Sequence, residues 1–127
     1  MTLPLKPGGK RGFARLMAAT GYSMKGFRAA VRHEEAFRQE ILLSGILLIG
    51  AITLARSFVE GVILVIPLVL MLVAELLNSA IEAIVDRIGP EHHELSGRAK
   101  DIGSATVFLT VGFTAIVWTA FLYLRFF

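Results

Sequence analysis

Cysteine is absent from the 127 residues of this sequence, which excludes a disulfide framework, a thiolate metal site and a cysteine nucleophile. Walker A and protein-kinase signatures are absent too, because Gly8-Gly9-Lys10 lacks the spacing and the Ser or Thr of a phosphate-binding loop. Charge is scarce over three long stretches, and hydrophobic residues make up 55% of the chain. A chain this short has too little interior for that much apolar surface, so we expect one domain in a lipid bilayer.

The N-terminal part of the chain combines basic residues with an amphipathic pattern. Residues 1–10 are predicted to be a mobile tail. Residues 11–33 repeat apolar positions at steps of three and four, with basic residues between them. This pattern predicts a helix in the membrane interface, broken near Gly21, with its basic side at lipid phosphates. A surface helix of a soluble bundle is the alternative.

Three apolar stretches predict transmembrane helices, at about 35–56, 61–87 and 101–125. The first has only 15 consecutive uncharged residues, 41–55, so its span includes flanking residues to reach the length of about 20 that crosses a bilayer. The third is uncharged from 102 to 124. Its Trp118 and Tyr123 are expected to anchor the helix at the interface. The sequence therefore predicts an all-α membrane protein.

The distribution of Lys and Arg predicts how these helices are oriented. Eight of the 13 basic residues lie in residues 1–40, three lie in or beside a charged loop predicted over 86–101, and two lie elsewhere. Cytoplasmic segments carry the excess of Lys and Arg in membrane proteins. We therefore expect the N-terminus and the 86–101 loop to be cytoplasmic and the C-terminus to lie on the other side. The net charge of +3 then reflects orientation and lipid headgroups, and not a nucleic-acid partner.

The second span contains a line of polar side chains. Glu75, Asn78, Glu82 and Asp86 fall on one side of a helix at about 100° per residue. Carboxylates within a span are costly in lipid and usually face protein or a wet cavity, and their oxygens suit Mg²⁺. The alternative is that these groups bond across the bundle and serve only helix packing.

Two other segments hold groups that bind metal or phosphate. Acidic residues in 34–40, at the start of the first span, could complete a metal site, although charges beside a span are more often solvated. Basic residues in 91–101 could neutralise phosphate, and Ser96 is predicted to cap the third span. Zinc at His92 and His93 is the less favoured alternative, because adjacent histidines seldom converge on one ion.

Together these motifs resemble the small prokaryotic diacylglycerol kinases. The resemblance is carried by Ala36-Phe37-Arg38-Gln39-Glu40, Glu75-Leu76-Leu77-Asn78-Ser79-Ala80-Ile81-Glu82-Ala83 and His93-Glu94-Leu95-Ser96-Gly97-Arg98-Ala99-Lys100-Asp101. It runs from about Phe13 to Trp118, and it is closer to the Gram-negative enzymes than to the Gram-positive undecaprenol kinases. Met24 and His92 depart from the family pattern, where Trp and Tyr are expected.

The resemblance implies a homotrimeric helix bundle in the bacterial inner membrane, with a periplasmic C-terminus. It implies transfer of the γ-phosphoryl group from MgATP to diacylglycerol, giving phosphatidic acid. Glu75 takes the general-base position, Glu34 and Glu82 the Mg²⁺ positions, and Asn78 and Asp86 support them. The implied ATP-binding residues are Arg15, Tyr22, Glu34, Glu82, Glu91, His92, His93, Lys100 and Asp101. The implied lipid-binding residues are Arg15, Ser23, Arg38, Gln39, Glu40, Glu75, Ser104 and Trp118.

Two alternatives to this function stay open at the level of the sequence. Undecaprenol could replace diacylglycerol as the acceptor, because no residue pattern marks acyl-chain preference. A small ion transporter or channel subunit is an alternative of a different class, since carboxylates within spans also mark ion pathways. The absence of acids at mid-depth in the first and third spans argues against transport.

Overall fold

The structure, a computed structural model, describes residues 11–127, so the tail predicted for residues 1–10 lies outside the described residues. The described part of the chain forms helices α1 (Phe13–His33), α2 (Glu35–Leu54), α3 (Phe58–Ile88) and α4 (Glu94–Phe126). Three of them, α2, α3 and α4, are long and apolar enough to cross a membrane. The all-helical architecture is confirmed, with three helices able to span a membrane.

Most large apolar side chains of the three long helices point away from the bundle. Phe108, Leu109 and Ile52 are each more than 70% exposed, whereas the buried core around Ala51 and Leu64 is small. In water this much exposed apolar surface would be costly, but in a bilayer the acyl chains cover it. The helices therefore fit a membrane and not an aqueous environment.

The turn between α2 and α3 has its own capping interactions. The Ser57 side chain accepts a hydrogen bond from the Glu60 backbone N–H at 3.2 Å, and Glu60 Oε2 accepts one from the Arg56 N–H at 2.7 Å. Such reciprocal bonding resembles a capping box, which satisfies N–H groups that the first turn of a helix leaves free. Residues 56–60 thus form the turn at which α2 ends and α3 begins.

The connection between α3 and α4 is much shorter than the loop predicted over 86–101. It spans only residues 89–93, and the prediction that Ser96 caps the third span is wrong. His93 is the N-cap, and its Nδ1 accepts from the Leu95 N–H at 3.1 Å. Gly97 lies within α4, and Arg98 and Glu94 beside it form an exposed ion pair at 3.0 Å.

The surface helix α1 is continuous from Phe13 to His33, so the predicted break near Gly21 is wrong. Gly21 is exposed and has no neighbour within 4 Å, so no packing interaction requires a bend there. A glycine in a helix interior costs about 1 kcal/mol relative to alanine, which a helix of 21 residues tolerates.

Polar side chains of α4 donate hydrogen bonds to the backbone of α3. Thr114 Oγ1 donates to the Pro67 carbonyl at 3.4 Å, and Trp118 Nε1 donates to the Leu64 carbonyl at 3.2 Å. Trp118 is buried, with its ring against Gly50 of α2. The expectation that Trp118 anchors the helix at the interface is therefore wrong, and the residue belongs to the bundle core.

Candidate active site

The polar line predicted on the second span lies along α3. Glu75 and Asn78 are buried, at 4% and 8% exposure, Glu82 is half-buried and Asp86 is exposed. At 1.5 Å per residue, Glu75 lies about 10 Å from Glu82 along the helix axis. The line thus leads from the interior to the end of the bundle that carries residues 89–93, which we call the loop end.

Two interactions organise this line. Asn78 Nδ2 donates to Glu82 Oε1 at 3.5 Å, a long hydrogen bond within α3. Lys100 Nζ of α4 donates to Asp86 Oδ1 at 2.7 Å, which ties the two helices together at the loop end. The oxygen of the same amide, Asn78 Oδ1, is buried and has no hydrogen-bond partner. This oxygen is enclosed between α3 and α4.

Glu34 lies at the junction of α1 and α2, where the backbone is extended (φ −111°, ψ 107°). Since α2 and α3 run in opposite directions, this junction is also at the loop end. Glu34 and Ser79 line a groove of about 580 Å³ between α1 and α3, together with Ser23. The charges of Glu34 and Glu82 are close enough to influence Glu75. Within the described residues these three carboxylates lie in the half of the bundle nearer the loop end, but they do not converge on one point.

A fourth carboxylate, Glu40 of α2, lies close enough to Glu75 for their charges to interact. Glu40 Oε2 is enclosed without a hydrogen-bond partner, and so is the hydroxyl of Ser44 one turn further along α2. The sequence analysis missed Ser44. A polar residue four positions after an acid, at the start of an uncharged stretch, was the signal that could have found it.

Other predicted site residues have partners of their own. Arg38 Nη1 donates to the carbonyls of Val31 and Arg32, at 2.8 and 3.3 Å, and so caps the end of α1. Gln39 Nε2 donates to Glu35 Oε1 at 3.3 Å. These bonds hold the corner between α1 and α2, and with it the position of Glu34.

The predicted nucleotide-binding side chains are mostly exposed. Tyr22 is 67% exposed, with Lys25 Nζ 5.9 Å from its ring centre. The other exposed members are Arg15, Glu91, His92, His93 and Asp101, and Ser104 of the lipid-binding set is exposed as well. Trp118 is not brought near the acids, because it bonds to Leu64 in the half of the bundle away from the loop end.

Among residues 11–127 of one chain, no three His, Asp or Glu side chains are close enough together to hold a metal ion. Mg²⁺ sites of phosphoryl-transfer enzymes typically use one or two carboxylates, with substrate phosphates and water as the remaining ligands. Glu34 and Glu82 supply hard oxygen donors of this kind. The residues present thus fit a magnesium ion that arrives with a nucleotide.

The sequence analysis also missed Gly103, a buried residue of α4 that packs directly against Asn78. Nothing in the sequence distinguishes it from the other glycines of the spans, because its importance depends on which side chain lies opposite.

Comparison with known proteins gives concordant results. The profile of the family described as prokaryotic diacylglycerol kinase matches residues 21–122. The protein named diacylglycerol kinase in Escherichia coli K12 is 47% identical over 115 residues, 91% of this chain and 94% of that protein. Its namesake in Pseudomonas aeruginosa is 46% identical over 114 residues, 90% and 93% of the two chains. The one in Haemophilus influenzae is 44% identical over 112 residues, 88% and 95%.

Proposed function

The chain belongs to the prokaryotic diacylglycerol kinase family and is a membrane enzyme, a diacylglycerol kinase, and we propose that it transfers the γ-phosphoryl group of MgATP to the hydroxyl of diacylglycerol. The product is phosphatidic acid. One observation carries the proposal: the buried Glu75 and the half-buried Glu82 lie on one line of α3, and Glu34 lines the neighbouring groove between α1 and α3. This arrangement suits one substrate that comes from water and one that comes from lipid.

Glu34 and Glu82 hold the metal at the loop end. The ion supplies positive charge to the β- and γ-phosphates, where negative charge is concentrated during phosphoryl transfer. Asn78 supports this site by donating to Glu82, which leaves the second oxygen of that carboxylate free.

Glu75 acts as the general base. Its carboxylate accepts the proton of the lipid hydroxyl while the hydroxyl oxygen bonds to the γ-phosphorus, and the bond from this phosphorus to the departing ADP oxygen breaks. Glu75 is only 4% exposed. Burial excludes water from the acceptor side, so transfer to lipid is favoured over hydrolysis of ATP.

The nucleotide binds at the loop end, where the charged residues of the α3–α4 turn and the start of α4 are exposed. Lys100 is held by Asp86 and adds positive charge near the phosphates. The remaining contacts come from Arg15, Tyr22, Glu91, His92, His93 and Asp101.

The lipid acceptor enters by the groove between α1 and α3, which Ser23 lines together with Glu34. Its walls are otherwise built mostly from small and apolar residues, which suits a glycerol backbone with acyl chains. Arg38, Gln39 and Glu40 lie just beyond the corner of α1 and α2, and Arg15 and Ser104 complete the lipid-contacting set. Trp118 acts at a distance, by fixing α4 against Leu64.

Three copies of the chain form the active assembly. Support comes from the extensive exposed apolar faces of the spans, which further copies of the chain can cover in part. The N-terminus and the loop end face the cytoplasm, as the positive-inside distribution of Lys and Arg indicates, and the C-terminus is periplasmic.

The test is phosphoryl transfer by purified protein in vesicles that contain diacylglycerol, with γ-labelled ATP and Mg²⁺. Labelled phosphatidic acid is expected from wild-type protein and not from Glu82→Gln. Product from undecaprenol but not from diacylglycerol would identify the other acceptor. Cation flux without any labelled lipid, whichever acceptor is supplied, would contradict the kinase assignment for this site.

A further inference from the structure

Gly103 occupies a place in α4 where any side chain would meet the active site. A Cβ built on this residue would overlap Asn78 Oδ1 and also approach Asn78 Cγ, at 3.4 Å, and Ile81 Cδ1, at 3.7 Å. Gly103 is itself buried. Only glycine therefore allows α4 to lie this close to the amide of Asn78.

The close approach determines which way the amide faces. Asn78 Oδ1 is directed at the position where Cβ would be, so a Cα hydrogen of the glycine faces the oxygen instead. Such Cα–H···O contacts are weak but directional. With the oxygen side turned to α4, the Nδ2 side is turned along α3 and donates to Glu82 Oε1.

From this geometry we infer that Gly103 is a positioning residue for the metal site: it sets the rotamer of Asn78, and through Asn78 it orients the carboxylate of Glu82. The inference rests on the proposed function, because it assigns Glu82 to the metal. Gly103 touches no substrate and acts only through the amide. Side chains that orient metal ligands typically change metal affinity or activity by about 10–100-fold when they are altered.

The test variant is Gly103→Ala, and Gly112→Ala is its matched control. Both glycines lie within α4, and both substitutions raise helix propensity equally. A Cβ on Gly112 has no neighbour within 4 Å. We expect Gly103→Ala to raise the Mg²⁺ concentration needed for half-maximal turnover by roughly tenfold or more, the effect typical of an altered support for a metal ligand. Gly112→Ala should leave this concentration unchanged.

The sequence offers a direct reporter, because Asn78 is its sole asparagine. Protein labelled with side-chain ¹⁵N-asparagine gives one NH₂ pair in an NMR spectrum of the micelle-bound protein. Gly103→Ala should shift both signals of the pair, and Gly112→Ala should leave them in place. Unchanged signals in a folded Gly103→Ala protein would overturn the inference. Shifted signals with an unchanged Mg²⁺ requirement would overturn the link to Glu82.

A double variant separates positioning from a general packing defect. Asn78→Ala removes the oxygen that a Cβ at position 103 would overlap, so adding Gly103→Ala to it should lower Mg²⁺ affinity no further. If Gly103→Ala alone does not fold, the double variant should recover folding, and its failure to do so would refute the inference. Wild-type protein that shows no Mg²⁺-dependent transfer would instead contradict the proposed function, and the NMR comparison would still test the contact.

Discussion

The separation of Glu75 from Glu82 along α3 leads to a sharp prediction about two similar substitutions. Glu75→Gln and Glu82→Gln each remove one negative charge and keep the size of the side chain. Glu75 is buried about 10 Å deeper along the helix than Glu82. Glu75 is therefore further than Glu82 from a nucleotide bound at the loop end. We therefore expect Glu75→Gln to lower turnover while MgATP binding stays nearly intact, and Glu82→Gln to weaken MgATP binding itself.

The size of each effect follows from the role of the residue. General-base catalysis contributes about 10²–10⁴-fold, so loss of the Glu75 carboxylate should cost about 3–5 kcal/mol of transition-state stabilisation and leave a residual rate above background. In Glu82→Gln the amide oxygen of glutamine can still accept the bond from Asn78 Nδ2. The fold should therefore survive, and the loss should come from the missing charge at the metal.

The assay pairs nucleotide binding, by calorimetry in micelles, with turnover at saturating MgATP for both variants. A base that acts only during the reaction changes kcat, whereas a metal ligand changes the dissociation constant of MgATP as well. Circular dichroism provides the check that both variants remain helical. Loss of MgATP binding in Glu75→Gln to the same degree as in Glu82→Gln would place Glu75 in the metal site and refute the division of roles.

Three further outcomes are expected. Glu34→Gln should abolish turnover at low Mg²⁺ and Glu35→Gln should be mild, and the reverse result in a turnover assay would shift the metal position by one residue. Trp118→Phe should lower the free energy of unfolding by about 0.5–1.5 kcal/mol, because one hydrogen bond between α4 and α3 is lost; an unchanged SDS-unfolding midpoint would contradict this. Ser57→Ala should cost about 1 kcal/mol in the same assay through loss of the α3 cap, whereas Ser96→Ala, which removes no cap, should cost much less.

Arg125, near the end of α4, contacts the other two long helices at the end of the bundle opposite the loop end. Arg125 donates to the Leu54 carbonyl and, at 3.1 Å, to Glu60 Oε2, so a single guanidinium contacts the end of α2 and the start of α3. Its side chain is only 9% exposed. This contact joins the ends of the three long helices that lie away from the loop end.

The sequence by itself determined the class of the fold and the line of acids. Apolar stretches of about 20 residues dictate membrane helices, because only a helix satisfies its backbone hydrogen bonds within one segment. The spacing of Glu75, Asn78 and Glu82 puts them on one side of any helix, whatever lies opposite. Periodicity is a local property, and local properties can be deduced from sequence alone.

Tertiary structure decided the rest. Gly21 suggested a break in the first helix, but nothing packs against this residue and the helix is continuous. Trp118 had the position of an interfacial anchor, yet it is buried because a carbonyl of α3 and the small Gly50 lie beside it. Gly103 matters only because Asn78 faces it. The outcomes for Trp118 and Gly103 depend on which residue of another helix lies within a few ångströms, and that distance is set by packing between helices and not by the order of residues within one.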